Sequence, residues 1–346
     1  MANTYFYNMI LITGATGLVG SHLLAKLLLT KTKVRAIYRT EKKKLAVKNI
    51  LAYYTDNVDA LFDTIDWFQA DITGVPKLAE AFNDINIVYH CAAIISFDEA
   101  EAKKLKKVNI EGTANVVNLC LSNKVSKLCY TSSIASLGVN ENGEPITEET
   151  HWNPEAQNNI YSITKYGAEL EVWRGSQEGL DTVIVNPGVI LGSGFWRGGS
   201  GQLFRSVAKG LKYYTYGRVG FVDVKDVVEV MIDLTNSKIS NERYILVAEN
   251  RSFKEVFDLI AFHLKVKPTT KKAAGWMLHL AWRLDKTAHI LFNKKRRFFK
   301  GSAISALQEL EYDNQKIQAA IGYKFTHLED TIAEVSEHYL IENVRD

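Results

Sequence analysis

The sequence of 346 residues predicts an α/β fold, a doubly wound parallel sheet followed by a smaller, helix-rich C-terminal lobe. Three observations carry this expectation. Strand-length apolar runs alternate with stretches of helical period through the first half. The runs are almost unbroken in Val, Ile and Leu, as strands covered on both faces are. Glycines at 14, 17 and 20 mark the passage from the first run into the first helical stretch.

The predicted strands are Met9–Thr13, Lys33–Tyr38, Ile65–Ala70, Asn86–Cys91, Lys127–Ser132 and Asp181–Asn186. Helical patterns lie between them near Leu18–Thr30, Lys42–Tyr54, Lys77–Phe82, Ala100–Ser122 and Tyr161–Gln177. Crossovers between parallel strands are right-handed. After Pro187 the rhythm changes. Val189–Gly201 is rich in glycine and carries Phe195 and Trp196, as a functional loop does. A strand-helix pair around Gly220–Leu234, a strand at Arg243–Val247 and several helices follow.

Composition excludes several classes. With 42 Lys and Arg against 39 Asp and Glu the net charge is +3, which gives no general case for nucleic-acid binding. A hydrophobic share of 47% and a charged share of 23% exclude a disordered chain. Cys91, Cys120 and Cys129 are too scattered for a disulfide framework or a metal site, so reduced, buried thiols and no metal are expected. Met1–Tyr7 carries no basic region, and no window reaches about 18 uncharged apolar residues. A cytoplasmic protein without a signal segment is therefore expected.

Ile12–Gly20 reads Ile-Thr-Gly-Ala-Thr-Gly-Leu-Val-Gly between a strand and a helix. In that context Gly14 makes the tight turn, Gly17 admits a pyrophosphate close to the backbone, and Gly20 allows helix and strand to pack. Phosphates would be received at the helix start, by the segment Thr13, Gly14, Thr16, Gly17, Leu18, Val19 and Gly20. This is a Rossmann-type dinucleotide site. About 20 residues on, NAD-binding chains carry a carboxylate at the strand tip for the ribose hydroxyls. Here the stretch is Ile37-Tyr38-Arg39-Thr40, and Arg39 offers a planar fork suited to a 2′-phosphate, with Lys43 and Lys44 nearby. NADP(H) is favoured over NAD(H) on this argument.

Tyr and Lys stand at i, i+4 in three places: Tyr38/Lys42, Tyr161/Lys165 and Tyr312/Lys316. Position selects Tyr161/Lys165, which follows the fifth strand with Thr131-Ser132-Ser133 at its carboxyl end, where open α/β sheets bind ligands. With these landmarks the chain resembles the extended short-chain dehydrogenase/reductase family, in the NAD-dependent epimerase/dehydratase group, nearest the dihydroflavonol 4-reductase and 3β-hydroxysteroid dehydrogenase branch. The resemblance rests on Thr13–Gly20, Arg39, Asp71-Ile72, His90-Cys91-Ala92-Ala93, Asn109, Ser132-Ser133, Tyr161 and Lys165, Asn186-Pro187-Gly188 and Phe221-Val222-Asp223-Val224.

The resemblance implies an enzyme in which Tyr161 exchanges a proton, Lys165 lowers its pKa and holds the nicotinamide ribose, and Ser133 orients the substrate oxygen. Ser132 is the neighbouring alternative. Asn109 would support the site or a proton relay. Asp71 and Ile72 would touch the adenine, Ala92 and Ala93 would wall the cofactor, and Pro187, Gly188, Val189 and Ile190 would lie under the nicotinamide. The implied division is a cofactor domain at 1–190, with 220–248 returning to it, and a substrate lobe at 191–219 and 249–346. A homodimer through the long helices is the family's habit.

Departures narrow the function. Dehydratases of the family follow the catalytic hydroxyl with an Asp-Glu pair; Ile134 and Ala135 stand there and exchange no proton. What remains is an NADP(H)-dependent oxidoreductase interconverting a ketone and an alcohol, with a pocket drawn from Ser96, Phe97, Phe195, Trp196 and Tyr214. These aromatics suit a ring-bearing or lipophilic substrate, or else pack the core. Alternatives are an NAD-retaining nucleotide-sugar epimerase, with Arg205, Arg218 and Lys225 meeting a diphosphate, and a non-catalytic dinucleotide sensor. Finally, Lys265 to Lys300 holds eleven Lys/Arg and one acid, Asp285, among many apolar residues. It reads either as a basic amphipathic helix lying on an anionic membrane or as a lobe helix with a solvated basic face.

Overall fold

A computed structural model describes residues 9–140, 142–292, 296 and 299–343. The first half runs β1 (Met9–Thr13), α1 (Leu18–Leu29), β2 (Val34–Tyr38), α2 (Glu41–Leu51), α3 (Val58–Asp63), β3 (Asp66–Gln69), α4 (Val75–Ala81) and β4 (Ile85–His90). It continues through α5 (Ala102–Leu105), a π-helical segment Lys106–Glu111, α6 (Gly112–Ser122), β5 (Lys127–Thr131), α7 (Ile160–Gln177) and β6 (Thr182–Pro187). Then come β7 (Val189–Leu191), α8 (Gly201–Ala208), β8 (Tyr213–Tyr214), β9 (Arg218–Asp223), α9 (Val224–Asn236), β10 (Glu242–Leu246) and β11 (Glu249–Ser252). The last elements are α10 (Phe253–His263), β12 (Lys271–Lys272), α11 (Gly275–Phe292), α12 (Lys300–Ser305), α13 (Gln315–Ile321) and α14 (Leu328–Asn343).

Seven strands form one sheet in the order β10-β6-β5-β4-β1-β2-β3, every pair parallel. The reason is visible in β1. Ile10 and Ile12 pack into the core on one face, with Leu23, Leu24 and Met231, while Leu11 packs on the other with Val88, Leu128 and Val116. Alternate side chains point to opposite faces, so a strand buried on both sides is apolar throughout. The chain order reverses between β1 and β4, and Thr13 stands opposite His90 there. Ligands of open α/β sheets sit outside such a switch point.

The C-terminal lobe has its own core, in which Leu191, Phe204, Phe221, Ile260 and Ile332 are buried together. A second sheet, β11-β9-β7, underlies it. The path differs from the expected division at two points. Residues 218–223 form the middle strand of this second sheet, with Arg218 also bridging Glu309, and the return to the main sheet is made by α9 and β10. Ile317 of α13, expected in the lobe, is buried in the main core, with Tyr323 and Phe325 packed on it. The expected helix over 100–122 is interrupted by its π-helical segment, and α3 carried too few periodic residues to be anticipated.

Candidate active site

The turn between β1 and α1 is built around absent side chains. Gly14 has φ +71°, and a Cβ there would stand 2.6 Å from the Ala92 nitrogen. At Gly20 a Cβ would stand 2.3 Å from the Gly14 carbonyl oxygen. Gly17 caps α1 and donates its N–H to Gly14 at 2.9 Å. It has no side chain with which to satisfy the helix start, and no acidic residue stands in the first turn. The positive end of α1 is thus open to an anion, flanked by Thr16, Leu18 and Val19, all half-buried. This cradle fits the pyrophosphate of a nicotinamide dinucleotide.

Thr13 and Ala92 are stitched together beneath it. The Ala92 N–H donates to Thr13 Oγ1 at 3.4 Å, and Thr13 Oγ1 lies 2.6 Å from His90 Nδ1. His90 Nε2 lies 2.9 Å from Thr113 Oγ1, and its ring stacks on Tyr130. Burial, with Lys165 nearby, lowers the His90 pKa to about 3, so the imidazole is neutral. Ala93 follows, partly exposed, on the segment leaving β4.

Beyond β2, the Arg39 guanidinium is 3.8 Å from Asp71, and both side chains are nearly half exposed. Burial raises the Asp71 pKa, but two hydrogen bonds from Thr73 and the charges of Arg39 and Lys107 outweigh it and leave it lowered. Ile72 is buried, and its carbonyl accepts from Asn115 Nδ2 at 2.9 Å. The three basic groups expected here differ. Lys43 is exposed on the first turn of α2, but Lys44 pairs with Glu41 at 2.9 Å and lies over the Tyr38 ring at 5.0 Å. Lys44 is thus engaged locally, and Arg39 is the planar fork at the strand tip.

Of the other two Tyr/Lys pairs, Tyr312/Lys316 falls away from the switch point: Tyr312 is buried in a separate cluster with Ile146, and Lys316 pairs with Glu242. Tyr161 opens α7, whose start is capped by Asn159 accepting from the Ser162 N–H at 2.9 Å. Burial raises the Tyr161 pKa to about 12, and a hydrogen bond with the Ser133 side chain opposes the rise. Lys165 stands one turn further along the same helix. Lys165 Nζ donates to the Tyr130 hydroxyl and to the Thr131 carbonyl, each at 2.9 Å. Burial lowers its own pKa to about 8, against Glu169 and Cys91, which raise it.

Ser132 and Ser133 part ways because consecutive residues of an extended chain face opposite sides. Ser133 meets Tyr161, whereas Ser132 Oγ turns inward and donates to Glu169 Oε2 at 2.5 Å. The same carboxylate oxygen accepts from Ser136 at 2.7 Å and Asn186 at 2.9 Å, and Glu169 Oε1 pairs with Arg243 at 2.9 Å. Ser136 Oγ and Asn186 Nδ2 also donate to the Ser133 carbonyl. The sequence reading missed Glu169, although it stands one turn beyond Lys165 on the same helix face.

Asn109 is a clamp. Its Oδ1 accepts from the Ile94 N–H at 2.8 Å, and its Nδ2 donates to the Ile94 carbonyl and to Thr164 Oγ1. The side chain is 1% exposed and joins the chain after β4 to α7 beside Lys165. The π-helical turn brings it inward. Gly188 packs on Gly220, and after Pro187 the chain enters β7, where Val189 and Ile190 pair with Phe221 and Val222.

The expected substrate residues separate. Phe97 meets the Tyr161 ring edge-on at 5.8 Å. Ser96 Oγ accepts from the Asp98 N–H in a local turn. Trp196 is a correction: it is 9% exposed, packs on Tyr339 and Phe204, and its indole donates to Glu342 at 2.7 Å, so it fills the lobe core. Phe195 is half-buried, its carbonyl taken by the Gly198 N–H. Tyr214 lies on β8, paired with β12, its ring under Lys254.

A parallel switch-point sheet, a glycine cradle at a helix start and a Ser/Tyr/Lys group beside it define an NAD(P)-dependent oxidoreductase of the extended short-chain dehydrogenase/reductase type. The chain belongs to the NAD dependent epimerase/dehydratase family, which matches residues 10–246. It is 27% identical over 331 residues to anthocyanidin reductase of Arabidopsis thaliana, covering 88% of this chain and 94% of that one. It is 28% identical over 244 residues to sterol demethylase protein B of Methylococcus capsulatus, covering 69% and 70%. The crystal structure of gox2253 superimposes with a TM-score of 0.79 at 25% identity, over 98% of this chain and 99% of that one.

Proposed function

We propose that this protein is an NADP(H)-dependent reductase that converts a ketone to a secondary alcohol on a lipophilic or ring-bearing molecule. The observation that carries the reading is the placement of Tyr161 at the start of α7, beside Ser133 and with Phe97 edge-on to its ring at 5.8 Å, where burial raises the pKa of its phenol. Such a phenol is protonated at neutral pH and suited to giving a proton to a carbonyl oxygen. When bound, the nicotinamide supplies the hydride. Ser133 hydrogen-bonds the same oxygen, Tyr161 delivers its proton, and Phe97 offers an apolar wall to the substrate ring.

Arg39 supports the cofactor choice, because no carboxylate occupies the strand tip and the guanidinium is half exposed. The resemblance to anthocyanidin reductase supports a ring-bearing substrate. Two of the cations that a sugar diphosphate would need are engaged: Arg218 with Glu311 at 2.8 Å and Lys225 with Glu334. The test is a titration with NADPH and NADH followed by nicotinamide fluorescence, after checking the purified protein for retained cofactor. Tighter NADPH binding that Arg39→Asp abolishes supports the reading. Retained NAD, or preference for NADH, overturns it in favour of an epimerase.

A further inference from the structure

We propose that α11 is a membrane-surface helix that seats its apolar stripe in the headgroup region of an anionic bilayer. The helix has 18 residues and buries none of them. Trp276, Leu280 and Leu284 follow one another at i+4, and Leu291 and Ile290 close the same arc at 100° per residue. All five are exposed, at 69%, 47%, 59%, 68% and 69% in that order. The opposite side carries half-buried Leu278, Trp282 and Asp285, alongside exposed Ala281, His289 and Phe292. A helix lying on a water-soluble core turns its apolar stripe inward and its polar face outward. Here an apolar stripe faces out.

The charge names the partner. Lys271, Lys272, Arg283 and Lys286 are exposed on or beside the helix. The single acid of the segment, Asp285, lies 4.0 Å from Arg296, which also holds Asp98 at 2.9 Å. The exposed face is therefore cationic, with Arg283 inside the stripe and Lys286 at its edge. A second copy of this chain placed on the stripe would set like charges against each other. A convex apolar helix with a basic exposed face matches an interface of anionic lipid, which needs no complementary groove. Among the described residues no helix is long and apolar enough to cross a membrane, so α11 lies on the surface.

The position gives the contact a use. Gly301 of α12, just after α11, packs against Asn159 and Phe97, and a Cβ there would stand 3.3 Å and 3.5 Å from their respective Cβ atoms. Phe97 is the ring on Tyr161. α12, which packs on α11, thus borders Phe97 beside Tyr161, where a lipophilic substrate would leave the bilayer. That consequence rests on the proposed substrate class; the membrane contact does not.

The test is co-sedimentation of the full-length protein with vesicles of phosphatidylcholine, alone or with one third phosphatidylglycerol, at low and physiological salt. Pelleting is expected with the anionic vesicles, weakening with salt and with neutral lipid. Arg283→Ala and Lys286→Ala should each weaken it roughly fivefold. Leu280→Glu with Leu284→Glu should abolish it while leaving the NADPH titration unchanged, which shows that the variant is folded. Complete recovery in the supernatant with anionic vesicles at low salt overturns the proposal. So does a wild-type dimer in light scattering that the double variant converts to a monomer, because the face is then a protein interface. A failed ketone screen alongside normal pelleting would count against the substrate reading alone.

Discussion

Lys165 reaches the Tyr130 hydroxyl and the Thr131 carbonyl at 2.9 Å each, which tethers its ammonium to the end of β5. Burial lowers its pKa to about 8, with Glu169 and Cys91 opposing. Tyr161 is raised to about 12 and keeps its proton well above that pH. If the Lys165 ammonium holds the nicotinamide ribose, as the family resemblance implies, the rate of carbonyl reduction is expected to fall as pH rises through about 8, when Lys165 loses its charge. A profile of kcat/KM against pH should show that alkaline limb, and Lys165→Arg should move it to higher pH.

Tyr161→Phe keeps the ring against Phe97 and removes only the hydroxyl. Turnover should drop by roughly 10²–10⁴, the usual contribution of a positioned proton donor. Cofactor affinity, read by nicotinamide fluorescence, should stay within about twofold. A variant with unchanged turnover would show that another group delivers the proton.

At Gly14 a side chain would meet both a positive φ and the backbone of Ala92 at 2.6 Å. Gly14→Ala should cost more than about 1 kcal/mol in urea unfolding and abolish dinucleotide binding, since the turn cannot close on β4.

Glu169 is 2% exposed in its side chain and pairs with Arg243. Removing one member of a buried pair leaves the other unsatisfied, so Glu169→Ala should lower stability by about 3–5 kcal/mol. The added loss of Arg243 should cost less than the sum of the single changes. A urea double-mutant cycle measures this.

Two buried imidazoles set the response to acid. Burial lowers His22 to about 4, assisted by Lys225 and opposed by a hydrogen bond to Ser193, and lowers His90 to about 3. Unfolded histidines take up a proton near pH 6.5. Between those values the unfolded chain binds more protons than the folded one, so stability falls as pH drops below about 6.5. Thermal melts from neutral pH to about pH 4.5 should show a falling Tm, and His22→Asn should flatten the slope.

Much of the sheet was legible because its signals are local. β1 lies at the predicted residues, and the other five predicted strands begin or end within one residue of their expected ends. The buried period and the glycine spacing each act within a few residues. In the second sheet the strand expected near Gly220 is β9, but its partners were not legible, because β7 and β11 are only three and four residues long. The aromatic residues misled for a related reason: a Trp in a glycine-rich segment reads alike whether it lines a pocket or, as Trp196 does, fills a core.

By itself the sequence determined the fold class, the glycine turn and the i, i+4 pairing of Tyr161 with Lys165, all properties of neighbouring residues on one strand, turn or helix. Tertiary structure decided which hydroxyl meets Tyr161 and which carboxylate receives the other. Ser133 and Ser132 differ by a single step of an extended chain, and only the packing of β5 against α7 assigns their sides. It also decided that Lys44 stays with Glu41 and that Asn109 holds Ile94 to Thr164. Such contacts join residues far apart in sequence, and their geometry exists only once the sheet and helices have closed.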